Sequence, residues 1–147
     1  MTDYLVDANI LLRVTDPQSP EQTSFLNAVR RLIGQGNSLF ITLQIVAEFW
    51  CVATRPITSR GGLGLTIDEA ETRLGAIESM FSVLPEPIDC YAHWRYLVVS
   101  IGVSGRQVHD ARLSAVMQAA GIDHILTANT KDFERYKWLT AVHPHQV

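Results

Sequence analysis

The chain has 147 residues, of which 47% are hydrophobic and 18% charged, and its 12 basic and 15 acidic side chains leave a formal net charge of −3. This apolar content argues against a disordered chain. A net acidic chain cannot hold nucleic acid through bulk electrostatic attraction, which depends on basic groups displacing counterions from phosphates. Any contact with nucleic acid would therefore be local.

The length predicts one domain, placed at residues 1–147. The apolar run Tyr96–Val99 is far shorter than the roughly 20 residues that a membrane span requires, so no membrane crossing is expected. Asp3 and Asp7 stand where a secretory signal would carry positive charge. The two cysteines are too few for a disulfide framework or a zinc site, and we expect a cytoplasmic protein.

Short apolar runs and helical spacing alternate in the first half of the chain. The predicted elements are a strand at 4–6 followed by a polar turn at 7–9, a helix near 21–35, a strand at 39–41, a helix from a Thr42 cap to about 53, and a loop at 55–65. Three glycines and one proline in that loop argue against regular structure and favour a flexible flap.

A capping box from Thr66 to Glu69 opens the next helix, whose apolar stripe ends at Phe81. The elements predicted after it are a strand at 82–84, helices at 89–101 and 108–120, a strand at 124–127, a helical turn at 132–136 and a strand at 139–142. This alternation predicts an α/β fold, with a mostly parallel sheet covered by helices on both faces. Ligands of such sheets bind beyond the carboxyl ends of the strands, here the first, second and fourth.

Four acidic residues are predicted at those strand ends or on the helices that follow: Asp7, Glu48, Asp110 and Asp132. Each has a structural explanation when taken alone. The three aspartates could cap or stabilise helix starts and turns. Glu48 shares a largely apolar helix face and could pair with an arginine there. Their coincidence at one edge of a sheet is what indicates a functional site.

Carboxylates gathered at one place repel one another, by about 4 kcal/mol for two charges ~4 Å apart at an effective dielectric constant of about 20. Such a group takes up protons or binds a cation. Oxygen ligands without a cluster of His or Cys favour Mg²⁺ or Mn²⁺. An ion of this kind activates a water for in-line attack and neutralises phosphate charge, so the chemistry indicated is phosphodiester hydrolysis.

Four segments of the chain carry a family resemblance: Leu5–Asn9, Val46–Phe49, His109–Ala111 and Ile125–Phe133. In this order and spacing they resemble the PIN-domain family, in particular the VapC-type toxins of bacterial toxin–antitoxin pairs, and residues 54–65 look like one subgroup of those toxins. The resemblance implies a metal-dependent endoribonuclease acting on RNA, with a three-layer α/β/α sandwich. It also implies a protein that is often a homodimer and is inhibited by a cognate antitoxin.

The resemblance also carries over to individual residues. The acidic metal-site positions match Asp7, Glu48 and Asp110, and the polar supports match Asn9 and Thr127. Many members have a further acid two residues after the threonine, where this chain has Asn129. Either Asp132 supplies the fourth carboxylate or the site works with three carboxylates and an amide, which leaves a second metal ion open.

The roles expected from these positions differ. Asp7 and Asp110 are the main expected ligands of Mg²⁺ or Mn²⁺. Glu48 is expected to act as a ligand through water or as the general base for the attacking water. Asp132 and Asn129 form the weaker edge of the site.

Arginine supplies ten of the 12 basic side chains, and its planar fork suits phosphate. Arg55, Arg60 and Arg106 lie in or beside predicted loops and are candidate RNA contacts. Surface ion pairs explain the same preference for arginine equally well.

Three other classes of protein are compatible with parts of the sequence. A haloacid-dehalogenase-like phosphatase also begins with an aspartate after an apolar strand, but Asn9 stands where its second aspartate is expected. A phosphoacceptor signalling module needs a lysine late in the sheet, whereas Lys131 is predicted on a loop. A catalytically silent PIN-fold protein that binds RNA or acts as a scaffold is the main alternative. The intact acidic set argues against it, because negative charge repels phosphate.

Overall fold

A five-stranded parallel sheet flanked by helices forms the centre of the protein, and the structure, a computed structural model, describes all of residues 1–147. The strands are β1 (Asp3–Val6), β2 (Ser38–Ile41), β3 (Ser82–Val83), β4 (His124–Leu126) and β5 (Thr140–Val142). The helices are α1 (Ala8–Val14), α2 (Gln22–Gly34), α3 (Leu43–Thr54), α4 (Ile67–Met80), α5 (Cys90–Ile101) and α6 (Gln107–Ala120). Two 3₁₀ turns lie at Thr130–Phe133 and Pro144–Gln146. The predicted α/β fold with a parallel sheet is confirmed.

The strand order β3-β2-β1-β4-β5 places β1 at the centre of the sheet. Leu5 and Val6 are fully buried there, as expected for a parallel strand with helices on both faces. From β1 the chain first builds outward through β2 and β3, and it then returns to build β4 and β5 on the other side. The order of the strands therefore reverses between β1 and β4, and a crevice beyond the carboxyl ends of these two strands is where parallel sheets bind ligands.

One helix was missed by the sequence analysis, which predicted a polar turn at 7–9. Helix α1 begins directly after β1, and the Asp7 carboxylate caps it by accepting a hydrogen bond from the Ala8 amide. Ile10, Leu11 and Val14 are buried along its inner face. The polar residues Asp7 and Asn9 are typical of a turn, and the helix is only seven residues long, so its period was not recognised in the sequence.

The other predicted boundaries agree with the structure to within one residue, with two exceptions near the C-terminus. The helical turn predicted at 132–136 is a 3₁₀ turn at Thr130–Phe133, and Asp132 lies within it. The 3₁₀ turn at Pro144–Gln146 was not predicted. No helix is both long and apolar enough to cross a bilayer.

The glycine-rich loop between α3 and α4 has no helix or strand, as predicted, and its C-terminal part is anchored to α3. The amides of Leu63 and Leu65 donate to the carbonyls of Val52 and Ala53, at 3.1 and 2.9 Å. These bonds satisfy carbonyls that the end of a helix leaves without partners. The loop thus closes the C-terminal end of the helix that carries Glu48.

Candidate active site

The Asp7 carboxylate is held at the end of β1 by three hydrogen bonds. The Ala8 amide donates to Oδ1 at 2.8 Å, while Thr127 Oγ1 and Asn9 Nδ2 donate to Oδ2 at 2.8 and 3.1 Å. Asp7 is only 9% exposed. This burial raises the pKa of Asp7 above its ordinary value, and the three hydrogen bonds oppose the rise. The carboxylate is therefore oriented and poorly hydrated.

Asn9 and Thr127 also tie the start of α1 to the loop after β4. Asn9 Oδ1 accepts a hydrogen bond from the Ala128 amide at 3.0 Å, and its Nδ2 lies 3.3 Å from Thr127 Oγ1. Thr127 Oγ1 in turn accepts from the Asn129 amide at 3.0 Å. Both residues thus lie where the supporting role predicted for them requires.

Glu48 faces the same region from α3. Gln44, one helical turn earlier, donates from Nε2 to Glu48 Oε1 at 2.9 Å. No arginine lies within ion-pair distance, so the alternative in which Glu48 serves as a structural ion-pair partner is wrong. Burial raises the pKa of Glu48, and the negative charge of Asp7 raises it further, while the Gln44 hydrogen bond opposes both.

Asp110 lies in the first turn of α6. Burial raises its pKa from 3.8 to about 6, with further contributions from the negative charges of Asp132, Asp7 and Glu48, and Arg135 opposes them. A carboxyl group shifted this far by burial and by other acids is typical of a functional site.

All four predicted acids line one open cavity of about 530 Å³ beyond the ends of β1 and β4. The remaining predicted residues that line it are Asn9, Asn129, Arg55 and Arg106. Arg60 does not line it: this residue is exposed on the loop, where its carbonyl accepts a hydrogen bond from Arg55 at 3.0 Å. Asp132 reaches the cavity as an exposed side chain and caps no helix. The capping explanation of Asp132 was therefore wrong.

The donor set suits a hard divalent cation, because it consists of carboxylate and amide oxygens. No three of the His, Cys, Asp and Glu side chains lie close enough together to hold one ion among them. Mg²⁺ is usually held by one or two carboxylates and keeps several waters, so this arrangement fits such an ion and does not fit a fully protein-ligated one.

Gln44 is the residue of this region that the sequence analysis did not select. Besides its bond to Glu48, its Nε2 donates to the backbone carbonyl of His109 at 3.0 Å. The sequence could have indicated Gln44 through its spacing of four residues from Glu48, because side chains at i and i+4 of a helix are neighbours.

The fold and the site together define an α/β protein with an oxygen-lined acidic cavity at the switch point of a parallel sheet, which is the place between β1 and β4 where the strand order reverses. Residues 4–139 match the family model of the PIN domain, and the chain belongs to the PIN domain family. This membership confirms the family resemblance and removes the support for the phosphatase and phosphoacceptor alternatives. No curated protein matches the chain.

Solved structures with the same fold are toxin–antitoxin proteins of low sequence identity. VapBC2 from Rickettsia felis, bound to a promoter DNA fragment, has a TM-score of 0.71 at 16% identity, covering 97% of this chain and 98% of that chain. VapBC-1 from nontypeable Haemophilus influenzae has a TM-score of 0.71 at 14% identity, covering 98% of this chain and 99% of that chain. VapC20 from Mycobacterium tuberculosis is a toxin that cleaves the sarcin-ricin loop. It has a TM-score of 0.55 at 15% identity, covering 83% of this chain and 86% of that chain.

Proposed function

We propose that the protein is a Mg²⁺- or Mn²⁺-dependent endoribonuclease of the VapC type, built as one domain and acting as the toxin of a toxin–antitoxin pair. One observation carries the proposal. Four carboxylates face one cavity, and none pairs with a basic side chain within 4.0 Å, although five other acidic residues of the chain do. Of the four, Asp7, Glu48 and Asp110 are also buried or partly buried. Unpaired carboxylates at such positions are costly to the fold, and a bound cation removes that cost.

In this proposal Asp7 and Asp110 hold the ion. A carboxylate offers about four acceptor sites, and three of those on Asp7 are occupied by Ala8, Asn9 and Thr127. The free site belongs to Oδ1 and is the one available for an ion. A bound divalent ion supplies a water of lowered pKa and neutralises charge on the phosphate.

The chain's own residues provide orientation and proton transfer. Thr127 and Asn9 keep the Asp7 carboxylate from rotating. Glu48, whose pKa is raised by burial, is proposed to accept the proton of an attacking water or to ligate through water. Asp132 and Asn129 form the more exposed edge of the cavity.

RNA is the proposed substrate, and two arginines are its proposed phosphate contacts. Arg55 and Arg106 line the acidic cavity, and a guanidinium can bind phosphate through two parallel hydrogen bonds. Arg60 is left out because it lies away from the cavity. The sarcin-ricin-loop cleavage named for VapC20 supports RNA as the substrate class.

An antitoxin protein is the proposed partner, supported by the solved VapBC structures that share the fold and by a toxin–antitoxin complex from Klebsiella pneumoniae. A homodimer is proposed from the family resemblance. Exposed apolar side chains on α5, among them Tyr91, Tyr96 and Val99, are compatible with a subunit interface there.

The test compares two site variants with a control aspartate on β1. Purified wild type, Asp7→Asn, Asp110→Asn and Asp3→Asn are incubated with RNA and with single-stranded DNA, in Mg²⁺, Mn²⁺ or EDTA. Asp3 is exposed at the opposite end of β1 from Asp7. We expect metal-dependent RNA cleavage by wild type and Asp3→Asn, and none by the two site variants, with unchanged circular dichroism.

Two results contradict the proposal. Cleavage retained by both site variants rejects the assigned ligands. Cleavage of neither nucleic acid by the wild type favours the RNA-binding or scaffold alternative.

A further inference from the structure

Gln44 joins two helices that carry acidic residues of the site. Its Nε2 donates to Glu48 Oε1 at 2.9 Å within α3 and to the carbonyl of His109 at 3.0 Å in α6. His109 immediately precedes Asp110. No other side chain of α3 hydrogen-bonds α6, so this amide is the direct link between the helices of Glu48 and Asp110.

Repulsion among the acids gives such a link a role in the site. Glu48 and Asp110 face one cavity, and neither has a basic partner within 4.0 Å. A glutamate side chain has several rotamers, and like charges favour those that turn it away from the other acids. An amide donor restrains Glu48 without neutralising the charge that attracts a cation.

The hydrogen bonds of Gln44 indicate the same role. Its Oε1 is buried and has no hydrogen-bond partner. A buried amide oxygen without a partner destabilises a fold, which offsets part of the stability that the two donated hydrogen bonds provide. A leucine fills similar space without that oxygen. What the glutamine adds is Nε2, which donates both to Glu48 Oε1 and to the carbonyl of His109.

We propose that Gln44 is a positioning residue that holds Glu48 on the Asp110 side of the cavity and thereby sets the affinity of the site for a divalent cation. The inference rests on the proposed nuclease function. Mutation of a residue that hydrogen-bonds a metal ligand typically lowers metal affinity or activity by about 10- to 100-fold.

The test uses the full chain with Gln44→Leu and, as a matched control, Gln18→Leu, which changes an exposed glutamine between α1 and α2. Mn²⁺ binding is measured without RNA from the electron paramagnetic resonance signal of unbound Mn²⁺, and RNA cleavage is measured against Mg²⁺ concentration. For Gln44→Leu we expect the Mn²⁺ Kd and the half-saturating Mg²⁺ concentration to rise about tenfold or more. KM for RNA and Tm should stay close to wild type, and the control should match wild type throughout.

A double-variant comparison separates positioning from a general structural effect. If Gln44 acts through Glu48, the variant carrying both Glu48→Gln and Gln44→Leu binds Mn²⁺ no more weakly than Glu48→Gln alone. Wild-type Mn²⁺ affinity in Gln44→Leu, or additive losses in the double variant, overturns the inference even when the wild type cleaves RNA. A wild type that neither binds Mn²⁺ nor cleaves RNA overturns the proposed function and this inference with it. If Gln44→Leu unfolds, Gln44→Met, which keeps the length of the side chain, replaces it in both measurements.

Discussion

Thr127 Oγ1 donates a hydrogen bond of 2.8 Å to Asp7 Oδ2, across 120 positions of sequence. The two residues meet because β1 and β4 pair in parallel with Val6 opposite Leu126, so the next residue of each strand emerges at the same edge. Both side chains are buried. This bond joins the two strand ends of the switch point and orients the carboxylate on which the proposed chemistry depends.

Replacing Thr127 by valine should lower both stability and activity. The substitution keeps the shape of the side chain but removes a donor to a buried carboxylate and an acceptor for the Asn129 amide. We expect a loss of about 1 to 3 kcal/mol in the free energy of unfolding, measured in urea, and slower RNA cleavage. Thr140→Val, at an exposed position of β5, is the control and should change stability by less than about 0.5 kcal/mol. Equal effects of the two variants would show that the bond contributes nothing.

Asp110→Asn should stabilise the metal-free protein at neutral pH although it abolishes cleavage. The pKa of Asp110 rises from its ordinary value of 3.8 to about 6 on folding, so the fold favours the protonated carboxyl. Its contribution to stability is full below pH 3.8, declines as the pH rises to about 6, and is absent above that value. Asparagine removes the charge, and we expect a gain of about 1 kcal/mol at pH ~7.5, after allowing for solvent screening of this half-buried group.

Thermal denaturation in EDTA measures this difference. A gain of about 1 kcal/mol corresponds to a Tm higher by about 3 °C at pH ~7.5, and the gain should vanish near pH 4. Saturating Mg²⁺ should reverse the order, because only the wild type retains the ligand. A variant that is less stable than wild type at pH ~7.5 without metal contradicts the prediction.

Arg106→Gln should weaken RNA binding, whereas Arg60→Gln should not. Arg106 lines the acidic cavity and Arg60 does not. Loss of one phosphate contact to a single strand reduces the slope of log Kd against log salt concentration by about 0.7. Fluorescence anisotropy with labelled RNA, in the inactive Asp7→Asn background, measures that slope. If the two variants bind alike, the cavity is not where the RNA backbone lies.

Gly62→Ala should destabilise the loop that closes α3. A Cβ at this position would lie 2.3 Å from the carbonyl oxygen of Pro56, so the backbone must move. Gly75→Ala is the matched control, because Gly75 lies in α4 and a Cβ there would meet no other atom. This variant should be more stable than wild type by about 0.5 to 1 kcal/mol, since alanine favours a helix over glycine. We expect a lower Tm and weaker RNA binding for Gly62→Ala, since the loop positions Arg55. A Tm equal to that of wild type would mean that the loop yields without cost.

Local patterns in the sequence predicted most of the secondary structure correctly. The capping box at Thr66 and Glu69 marks the start of α4, because it depends on residues only three positions apart. Helix α1 was not predicted, because Asp7 and Asn9 have the composition of a turn and the helix that begins between them is only seven residues long. Local patterns also do not predict the orientation of loop residues. Arg60, a candidate RNA contact from the sequence, therefore could not be recognised as lying outside the cavity.

The sequence by itself determined the α/β class, the family and the set of acids, because alternating periods and motif order are properties of neighbouring residues. Tertiary structure alone decided which side chains meet: the Thr127 hydroxyl on Asp7, the Gln44 amide between α3 and α6, and a cavity in which no three carboxylates converge on one point. These relationships depend on strand order and on the placement of helices against the sheet. Contacts between residues far apart in the sequence decide which side chains meet, 65 positions for Gln44 and His109 and 120 for Thr127 and Asp7, and no local pattern encodes such contacts.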